Sequence, residues 1–264
     1  MLADHELNRS SWDQLAAIHG QDAYYDAEAL CAGASSLIPE EEAALLFAGA
    51  DLVGKRILHL QCHLGFDAIT FARRGARVTG VDFSTVALAR AREFAARCDV
   101  SIEWVCTDVL ELPKSLSGCF DLVWATVGVL CWIADLSAWM RASSSVLAPG
   151  GKLVLIDGFP SRSASEPTGE PLEDDGVSLR RVVERGWDYA TTFRTGPQVQ
   201  FQHSLRGIVS AARSAGLRVS YFEEHTSISS SLCIPGLLRQ DDGCYRKPDA
   251  KPILFTLVAE RDRL

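Results

Sequence analysis

The residue types best suited to chemistry lie in one loop and at the end of a nearby predicted strand. Residues 59–65 read HLQCHLG and follow a short apolar run, and a second apolar run ends at Asp82. An acidic residue that closes the second strand of a strand–helix–strand unit, about 20 residues after a glycine-containing turn, can accept hydrogen bonds from a ribose diol. Asp82 therefore predicts a nucleoside cofactor, although its alternative role is only to cap the following helix.

The side chains of this loop restrict which nucleoside cofactor is expected. A dinucleotide site requires the pattern G-x-G-x-x-G, because the backbone must approach a pyrophosphate without intervening side chains. Residues 59–65 contain a single glycine, Gly65, together with several bulky side chains. We therefore expect a cofactor without phosphate, such as S-adenosylmethionine. A nicotinamide-dependent oxidoreductase is the alternative that this loop disfavours.

Several segments of the chain resemble those of one enzyme family. The loop HLQCHLG, followed by GVDFS, resembles class I S-adenosylmethionine-dependent methyltransferases, in particular a subgroup in which H-L-Q-C-H-x-G replaces the usual loop D-L-G-C-G-x-G. The resemblance continues through FDLVWATVGVLCWIADL, QHSLRGIVSAARSAGL and KPILFTLVAE, and it is weakest across residues 160–200. It implies S-adenosylmethionine as cofactor and S-adenosylhomocysteine as product.

The resemblance also implies a reaction, which is methyl transfer to an oxygen, nitrogen or activated carbon of a small molecule. Natural-product tailoring is the expected kind of pathway. A methyltransferase-like module that binds a nucleoside and a protein partner without catalysis is a further alternative. The segment at 160–200 distinguishes the two, because a pocket above the cofactor favours an enzyme and a filled crevice favours a binding module.

The resemblance implies cofactor contacts on the loops that follow the strands. Asp82 would hold the ribose and Asp108 the adenine amine, although Asp108 could instead be a helix cap or a turn residue. His59 stands where the family usually has an acid that organises the cofactor ammonium, so Gln61 or backbone carbonyls are expected to take over that task. The expected cofactor contacts are Trp12, Tyr25, Leu60, Gln61, Cys62, His63, Gly65, Asp82, Phe83, Ser84, Thr107, Asp108, Val109, Ala125 and Thr126.

Histidines are the expected proton acceptors if the methyl acceptor has to lose a proton. His203 is the first choice, because it precedes a helix predicted to face the cofactor crevice, and His63 and His19 are alternatives. Each of them could instead be a packed or capping residue. The expected substrate contacts are Tyr24, Trp132, Phe159 and Trp187.

Hydrophobic periodicity predicts the elements that must position these residues. Strands are predicted at residues 56–60, 77–81, 101–105, 120–125, 152–156, 217–222 and 253–259, with helices between them and a pair of short strands around Arg185 and Gly186. These seven strands match a Rossmann-like α/β fold of the resembled family, in which the last strand of a mostly parallel sheet is antiparallel. Since such sheets bind ligands beyond the carboxyl ends of their strands, the loops at 61–65, 82–84, 107–109 and 125–132 should converge on one crevice.

The chain is expected to form one domain over residues 1–264. Residues 1–50 are predicted to be a helical lid, and 51–158 the cofactor-binding core with helices on both faces of the sheet. Residues 159–200 are predicted to be a substrate-side insertion, and 201–264 the last helix and strands. In the resembled family an N-terminal helical segment folds over the cofactor, so Trp12, His19, Tyr24 and Tyr25 are lid candidates.

Composition argues against several other classes of protein. A net charge of −8 and a pI near 5.3, without a basic stripe, disfavour nucleic acid as a partner. The eight cysteines form no C-x-x-C pair and read as reduced thiols, neither a disulfide framework nor a metal site. Without an apolar run of membrane-spanning length or a signal peptide, a cytoplasmic location without membrane association is expected. A small molecule is the expected partner, and the expected state is a monomer or a homodimer.

Overall fold

The computed structural model describes residues 3–20, 24–49, 51–160, 179–183, 195–232, 234 and 236–263. Within them the α-helices are α1 (Ala3–Ile18), α2 (Ala27–Cys31), α3 (Pro39–Ala48), α4 (Phe66–Arg73), α5 (Thr85–Arg97), α6 (Leu136–Val146) and α7 (Leu205–Ser214). The strands are β1 (Arg56–Leu60), β2 (Arg77–Asp82), β3 (Glu103–Cys106), β4 (Phe120–Ala125), β5 (Leu147–Gly158), β6 (Leu179–Val183), β7 (Gln198–Gln202), β8 (Leu217–His225), β9 (Ser227–Ile228), β10 (Leu238–Arg239), β11 (Tyr245–Arg246) and β12 (Leu254–Arg261).

The central sheet has seven strands in the order β3-β2-β1-β4-β5-β12-β8. The strands from β3 to β5 pair in parallel, whereas β12 is antiparallel to both of its neighbours, β5 and β8. The predicted Rossmann-like sheet, with its last strand antiparallel, is thereby confirmed. The strand order reverses between β1 and β4, and sheets of this kind bind ligands at such a reversal.

Helices cover both faces of this sheet, because neighbouring residues of each central strand point to opposite sides. Ile57 of β1 is fully buried in a cluster with Phe71 of α4, whereas Leu58 is fully buried in a second cluster with Trp139 of α6 and Ile208 of α7. The apolar strands of the sequence are therefore buried on two faces, as expected for a parallel sheet.

Local capping residues set where several helices begin. The Ser84 hydroxyl accepts a hydrogen bond from the Ala87 backbone and caps α5, and Asp135 caps α6 in the same way. Pro39 occupies the first turn of α3, where its fixed backbone angle favours a helix start. One boundary differs from expectation: β5 already begins at Leu147, because Leu147 pairs with Phe120 before the register of β4 and β5 shifts.

The N-terminal helix docks on the core and on strand β7. The Asn8 side chain donates to the Val199 carbonyl at 2.8 Å and accepts from the Val199 amide at 2.7 Å. Ser11 of the same helix bonds to Thr195 at 2.6 Å. The segment before the sheet is therefore helical, as predicted, and α1 is joined to residues almost 200 positions later in the chain.

A separate two-stranded sheet follows β5 in the chain. A pair of short strands is predicted around Arg185 and Gly186, two residues that lie outside the described part of the chain. Strand β6 pairs antiparallel with β7, so that Val183 lies opposite Gln198. Among the described residues, no helix is long and apolar enough to cross a membrane.

Candidate functional site

A cavity of about 250 Å³ lies at the carboxyl ends of β1, β2, β3 and β4. Residues from all four predicted loops line it, so their expected convergence is confirmed. Of the residues predicted to contact cofactor or substrate, those that line this cavity are Trp12, Tyr24, Tyr25, Gln61, Cys62, His63, Gly65, Asp82, Phe83, Thr107, Asp108, Val109, Thr126 and Trp132.

The loop after β1 has a left-handed backbone at three alternate positions. The φ angles are +51° at Gln61, +48° at His63 and +72° at Gly65, and these are the positions at which the resembled loop D-L-G-C-G-x-G has glycine. Two hydrogen bonds of the Gln61 side chain offset the cost of its left-handed backbone. The amide nitrogen donates to the Val129 carbonyl at 3.0 Å, and the amide oxygen accepts from the Trp139 indole at 2.9 Å. The loop therefore keeps the backbone of a glycine loop with side chains attached.

Gly65 is the position in this loop where space requires glycine. A β-carbon there would lie 2.3 Å from the Trp104 ring, in addition to the unfavourable left-handed backbone. The single glycine of the motif therefore reflects close packing of the loop against β3.

The Asp82 carboxylate is fixed on the wall of the cavity by two backbone amides. One oxygen accepts from the His63 amide at 2.9 Å, and the other accepts from the Ser84 amide at 2.8 Å. Burial raises the pKa of Asp82 to about 6, against the opposing effect of these hydrogen bonds. Since Ser84 is the N-cap of α5, Asp82 is not the cap of that helix, and it lines the cavity.

Asp108 pairs with a histidine that the sequence did not single out. The His5 Nδ1 atom lies 2.6 Å from one Asp108 oxygen and donates to it, while the Leu110 amide donates to the other oxygen at 2.9 Å. Burial works to raise the pKa of Asp108, but these hydrogen bonds outweigh it and the pKa is lowered. Asp108 thus both caps a short 3-10 helix, Val109–Glu111, and lines the cavity beside His5.

Imidazole and aromatic rings cover one side of the cavity. His19 Nδ1 and His63 Nε2 lie 2.8 Å apart, so one ring donates a hydrogen bond to the other. The His19 ring stacks on Tyr25 with centroids 4.6 Å apart, and Trp12 contacts both His63 and Trp132 edge to face. Burial, followed by the neighbouring charges of His19 and Arg90, lowers the pKa of His63 well below its usual value. The His63 ring is therefore neutral near pH 7.

His203 lies outside the residues that line the cavity, which corrects the expectation that it faces the crevice. Its Nε2 atom donates to the Ile133 carbonyl at 2.8 Å and to the Leu130 carbonyl at 3.1 Å. Burial lowers the pKa of His203. The ring is tied to the turn that follows β4, because helix α7 packs beside α6 rather than over the crevice.

Other predicted contacts lie beneath or beside the cavity. Leu60, Ser84 and Ala125 are completely buried and support the loops from below, and His19 reaches the cavity only through His63 and Tyr25. Phe159 packs against the hydrophobic core on the α6 side of the sheet. Trp187 lies outside the described residues. These positions were predicted from loop membership, which does not indicate the direction in which a side chain points.

Sequence reasoning missed an acidic end of the cavity. Glu41 of α3 and Asp67 of α4 line it together with His59 of β1 and Ser36. In the sequence Glu41 stands between Glu40 and Glu42, a pattern that indicates only the acidic first turn of a helix. The position of Asp67, two residues after Gly65, was the available signal, but the resemblance placed the family acid at position 59.

The cavity walls suit a nucleoside that carries an amino acid. Carboxylates that can accept from hydroxyl or amine groups occur along its length, at Asp108, Asp82 and Asp67, and apolar side chains such as Val109 and Leu64 lie between them. No lysine or arginine is among the described residues that line it, so a phosphate would find no cationic side chain there. These hydrogen-bond acceptors, without a cationic side chain beside them, therefore fit S-adenosylmethionine better than a dinucleotide.

Comparisons with known proteins show that part of this chain is similar to methyltransferases. Residues 57–151 match a family model described as a methyltransferase domain. The ubiquinone biosynthesis O-methyltransferase of Chromobacterium violaceum is 33% identical over 102 residues, which make up 39% of this chain and 44% of that relative. The match therefore spans less than half of the length of this relative.

Solved structures of low sequence identity share the fold. An S-adenosylmethionine-dependent methyltransferase from Mesorhizobium loti is 22% identical, with a TM-score of 0.56 over 88% of this chain and 100% of that chain. Geranyl diphosphate C-methyltransferase from Streptomyces coelicolor A3(2), described in complex with S-adenosyl-L-homocysteine, is 17% identical, with a TM-score of 0.54 over 84% of this chain and 76% of that chain.

Proposed function

Since residues 57–151 match a methyltransferase domain, we propose that this chain is an enzyme that transfers the methyl group of S-adenosylmethionine to a small molecule. One observation carries the proposal. The loops after β1, β2, β3 and β4 line a single cavity, and the first of them has left-handed backbone where the resembled loop has glycine. The match to a methyltransferase domain and the shared fold give independent support.

In the proposed complex the side chains bind, orient and exclude water. Asp82 accepts from the ribose hydroxyls, and Asp108, held by His5, accepts from the adenine amine. When bound, S-adenosylmethionine supplies an electrophilic methyl group on a positively charged sulfur. Because displacement at this methyl needs alignment and a dry site more than a strong acid or base, Trp12, Tyr25 and Trp132 contribute by enclosing the cavity.

For acceptors that must lose a proton, we propose the His19–His63 pair as the base in place of His203. His63 lines the cavity, and its lowered pKa leaves it neutral near pH 7. His19 bonds to it at 2.8 Å and can share a proton that His63 takes up. An oxygen of a small molecule is the acceptor that we favour, because the relative from Chromobacterium violaceum is named an O-methyltransferase.

The remaining assignments are also proposals. Residues 1–50 act as a lid and 159–200 as a substrate-side insertion, with Tyr24 at the cavity mouth as a substrate contact. A cytoplasmic location and a monomeric or homodimeric state belong to the same proposal. These assignments rest on the sequence and on the position of α1 over the cavity.

Calorimetric titration with S-adenosylmethionine and with S-adenosylhomocysteine tests the function directly, with NADPH as the control ligand. We expect both methionine-derived ligands to bind and NADPH not to bind. Transfer of a labelled methyl group to a panel of small phenols and amines then identifies the acceptor class. Absence of binding by both S-adenosyl ligands would eliminate the proposal.

The same transfer assay tests the base. His63→Asn should lower kcat by at least about 100-fold, the usual contribution of general base catalysis. Cofactor affinity should stay nearly unchanged, since asparagine tolerates left-handed backbone and the amide bonded to Asp82 is retained. His203→Asn, at a ring outside the cavity lining, is the matched control. Equal loss of turnover in both variants would argue against a specific role for His63.

A further inference from the structure

The acidic end of the cavity contains two carboxylates without a cationic side chain beside them. Glu41 is only 5% exposed, and both Glu41 and Asp67 line the cavity. Neither lysine nor arginine occurs among the described lining residues. Buried charges in proteins are normally paired with an opposite charge or with a metal. In the described part of the chain, no set of histidine, cysteine or acidic residues is arranged to hold a metal ion.

The two carboxylates are joined through one hydroxyl group. Thr126 donates to an Asp67 oxygen at 3.1 Å and also bonds to Glu41. Burial and then the charge of Asp67 raise the pKa of Glu41 well above its usual value, whereas hydrogen bonds with the Ile38 amide and the Thr126 hydroxyl act in the opposite direction. The two carboxyl groups therefore lie close enough to oppose each other's ionisation.

The orientation of Asp67 is set before any ligand arrives. Ser36 donates to one of its oxygens at 2.7 Å, and the Trp124 indole donates to the other at 3.0 Å. Together with Thr126 these are three donors, whereas a carboxylate offers about four acceptor sites. One further N–H donor can therefore be accommodated, and a cationic donor would also neutralise the charge of the pair.

The position of the pair along the sheet indicates which part of a ligand it meets. Asp108 follows β3, Asp82 ends β2, His59 lies in β1 and Thr126 follows β4, and these strands are successive neighbours in the sheet. With about 4.8 Å between neighbouring strands, three such steps separate the two ends by about 14 Å. A nucleoside held at Asp82 and Asp108 therefore directs the substituent on its ribose toward Glu41 and Asp67.

The other polar groups near this end are weaker hydrogen-bond acceptors for a cationic donor than the Glu41–Asp67 pair. Gln61 was the expected replacement for the family acid, but both ends of its amide are engaged by Val129 and Trp139. Burial lowers the pKa of His59, so its ring is neutral, and its Nδ1 atom has no hydrogen-bond partner among the described residues. A neutral imidazole contributes no charge to compensate a cation.

We propose that the Glu41–Asp67 pair binds the ammonium group of the amino acid end of the cofactor, an assignment that rests on the proposed function. The charge that the resembled family places at the end of the first strand is here supplied by helices α3 and α4. The pair then selects for nucleosides that carry an amine over nucleosides of the same shape without one.

Calorimetry with three nucleosides tests this selection in the wild-type protein. S-Adenosylhomocysteine has the amine and the carboxylate, its decarboxylated analogue S-adenosyl-3-thiopropylamine has the amine alone, and 5′-methylthioadenosine has neither group. We expect the two amines to bind at least about tenfold more tightly than 5′-methylthioadenosine, the ratio typical of a charged hydrogen bond. Equal binding of all three would overturn this proposal and leave the nucleoside site intact. Binding of none would instead overturn the proposed function.

The variant Asp67→Asn tests whether the Glu41–Asp67 pair is responsible for the preference for amines. It should weaken both amine ligands at least about tenfold and leave 5′-methylthioadenosine within about twofold. Glu42→Gln is the matched control, because Glu42 is the next residue of α3 and pairs with Arg74 at the surface. If Asp67→Asn does not fold, Glu41→Gln reaches the same pair from α3 and should show the same selective loss. Parallel loss of all three ligands, or no loss, in the folded variant would overturn the assignment.

Discussion

Gln61 and His63 show how a loop can keep its backbone while its residue types change. A left-handed conformation costs a residue with a β-carbon about 1–2 kcal/mol relative to glycine. Gln61 offsets this with hydrogen bonds to Val129 and Trp139, and His63 does so with its amide bonded to Asp82 and its ring bonded to His19. The side chains thus hold the loop that presents Asp82 to the cavity.

The pKa of Asp82 leads to a pH dependence of cofactor binding. With a pKa of about 6, the carboxyl group becomes protonated as the pH falls through 6 and loses its charge-assisted hydrogen bonds to a ribose. We expect the affinity for S-adenosylhomocysteine, measured by calorimetry, to fall about tenfold between pH 7.5 and pH 5. In Asp82→Asn the affinity should be weak and nearly independent of pH. An unchanged affinity of the wild-type protein at pH 5 would contradict the role of Asp82.

The stability of the ligand-free protein should respond to Asp82 in the opposite direction. Its pKa is higher in the folded than in the unfolded state, so the folded state binds more protons around pH 5. The contribution of this group to the free energy of unfolding therefore rises as the pH falls through 6. As the pH falls through 6, ligand affinity should therefore decrease while the contribution of Asp82 to the free energy of unfolding increases. These opposite directions distinguish an effect on binding from an effect on folding.

At the scale of elements, the junction of β1, the loop and α4 depends on close contact with β3. Trp104 of β3 fills the space in which β-carbons at Gly65 and Gly80 would lie, at 2.3 and 2.4 Å. Hydrogen bonds from loop residues to Asp157 hold the neighbouring loop after β4 in a similar way, with the Leu130 amide 2.8 Å from the carboxylate. The loops at the cavity are therefore held by strands on either side of β1.

Gly65→Ala should destabilise the protein by roughly 2–4 kcal/mol, from left-handed backbone strain together with the clash against Trp104. Urea unfolding measures the loss. Gly118→Ala is the matched control, since Gly118 has a similar φ of +68° but open space at the β-carbon position. Only the backbone cost of about 1–2 kcal/mol is expected there. Equal losses in the two variants would show that contact with Trp104 is unimportant.

At the scale of the whole molecule, α1 joins three parts of the chain over the cavity. His5 bonds to Asp108, Asp13 accepts from the Ser84 hydroxyl, and Asn8 pairs with both backbone groups of Val199. Most of these contacts are buried and polar, so each is costly to break without a replacement partner. Ligand entry is therefore expected to require a concerted movement of α1 rather than of single side chains.

Asn8→Ala tests this coupling. It leaves the amide and the carbonyl of Val199 without their partners, so α1 should detach more often, with a loss of about 1–3 kcal/mol in local stability. Hydrogen exchange should accelerate in α1 and in residues 195–202, and S-adenosylhomocysteine should dissociate faster. Gln14→Ala on the same helix is the control, because its contact with Gly196 is exposed to solvent. Unchanged exchange in α1 would contradict its role as a fastened lid.

Features carried by residues close together in the chain were predictable. The strands were visible as apolar runs, and Asp82 and Asp108 as acids that follow strands. Since a parallel sheet collects the carboxyl ends of its strands at one edge, the convergence of their loops followed from the strand order of the resembled family. The sheet and most of the cavity wall were therefore predictable from the sequence.

The features that were missed or wrong all depend on long-range packing. His5, Glu41 and Asp67 belong to helices, and only the packing angle of a helix decides whether one of its residues reaches the cavity. His203 points to the turn after β4, because α7 packs beside α6.

The order of the elements, the apolar strands and the acid at the predicted ribose position follow from the amino-acid sequence alone, because periodicity and local motifs act over short distances along the chain. The folded chain was needed to show that His63 pairs with His19, that Gln61 bonds to Trp139, and that two acids from different helices share Thr126. Hydrogen bonds and burial depend on distance in space, and the spacing of residues along the chain does not specify that distance.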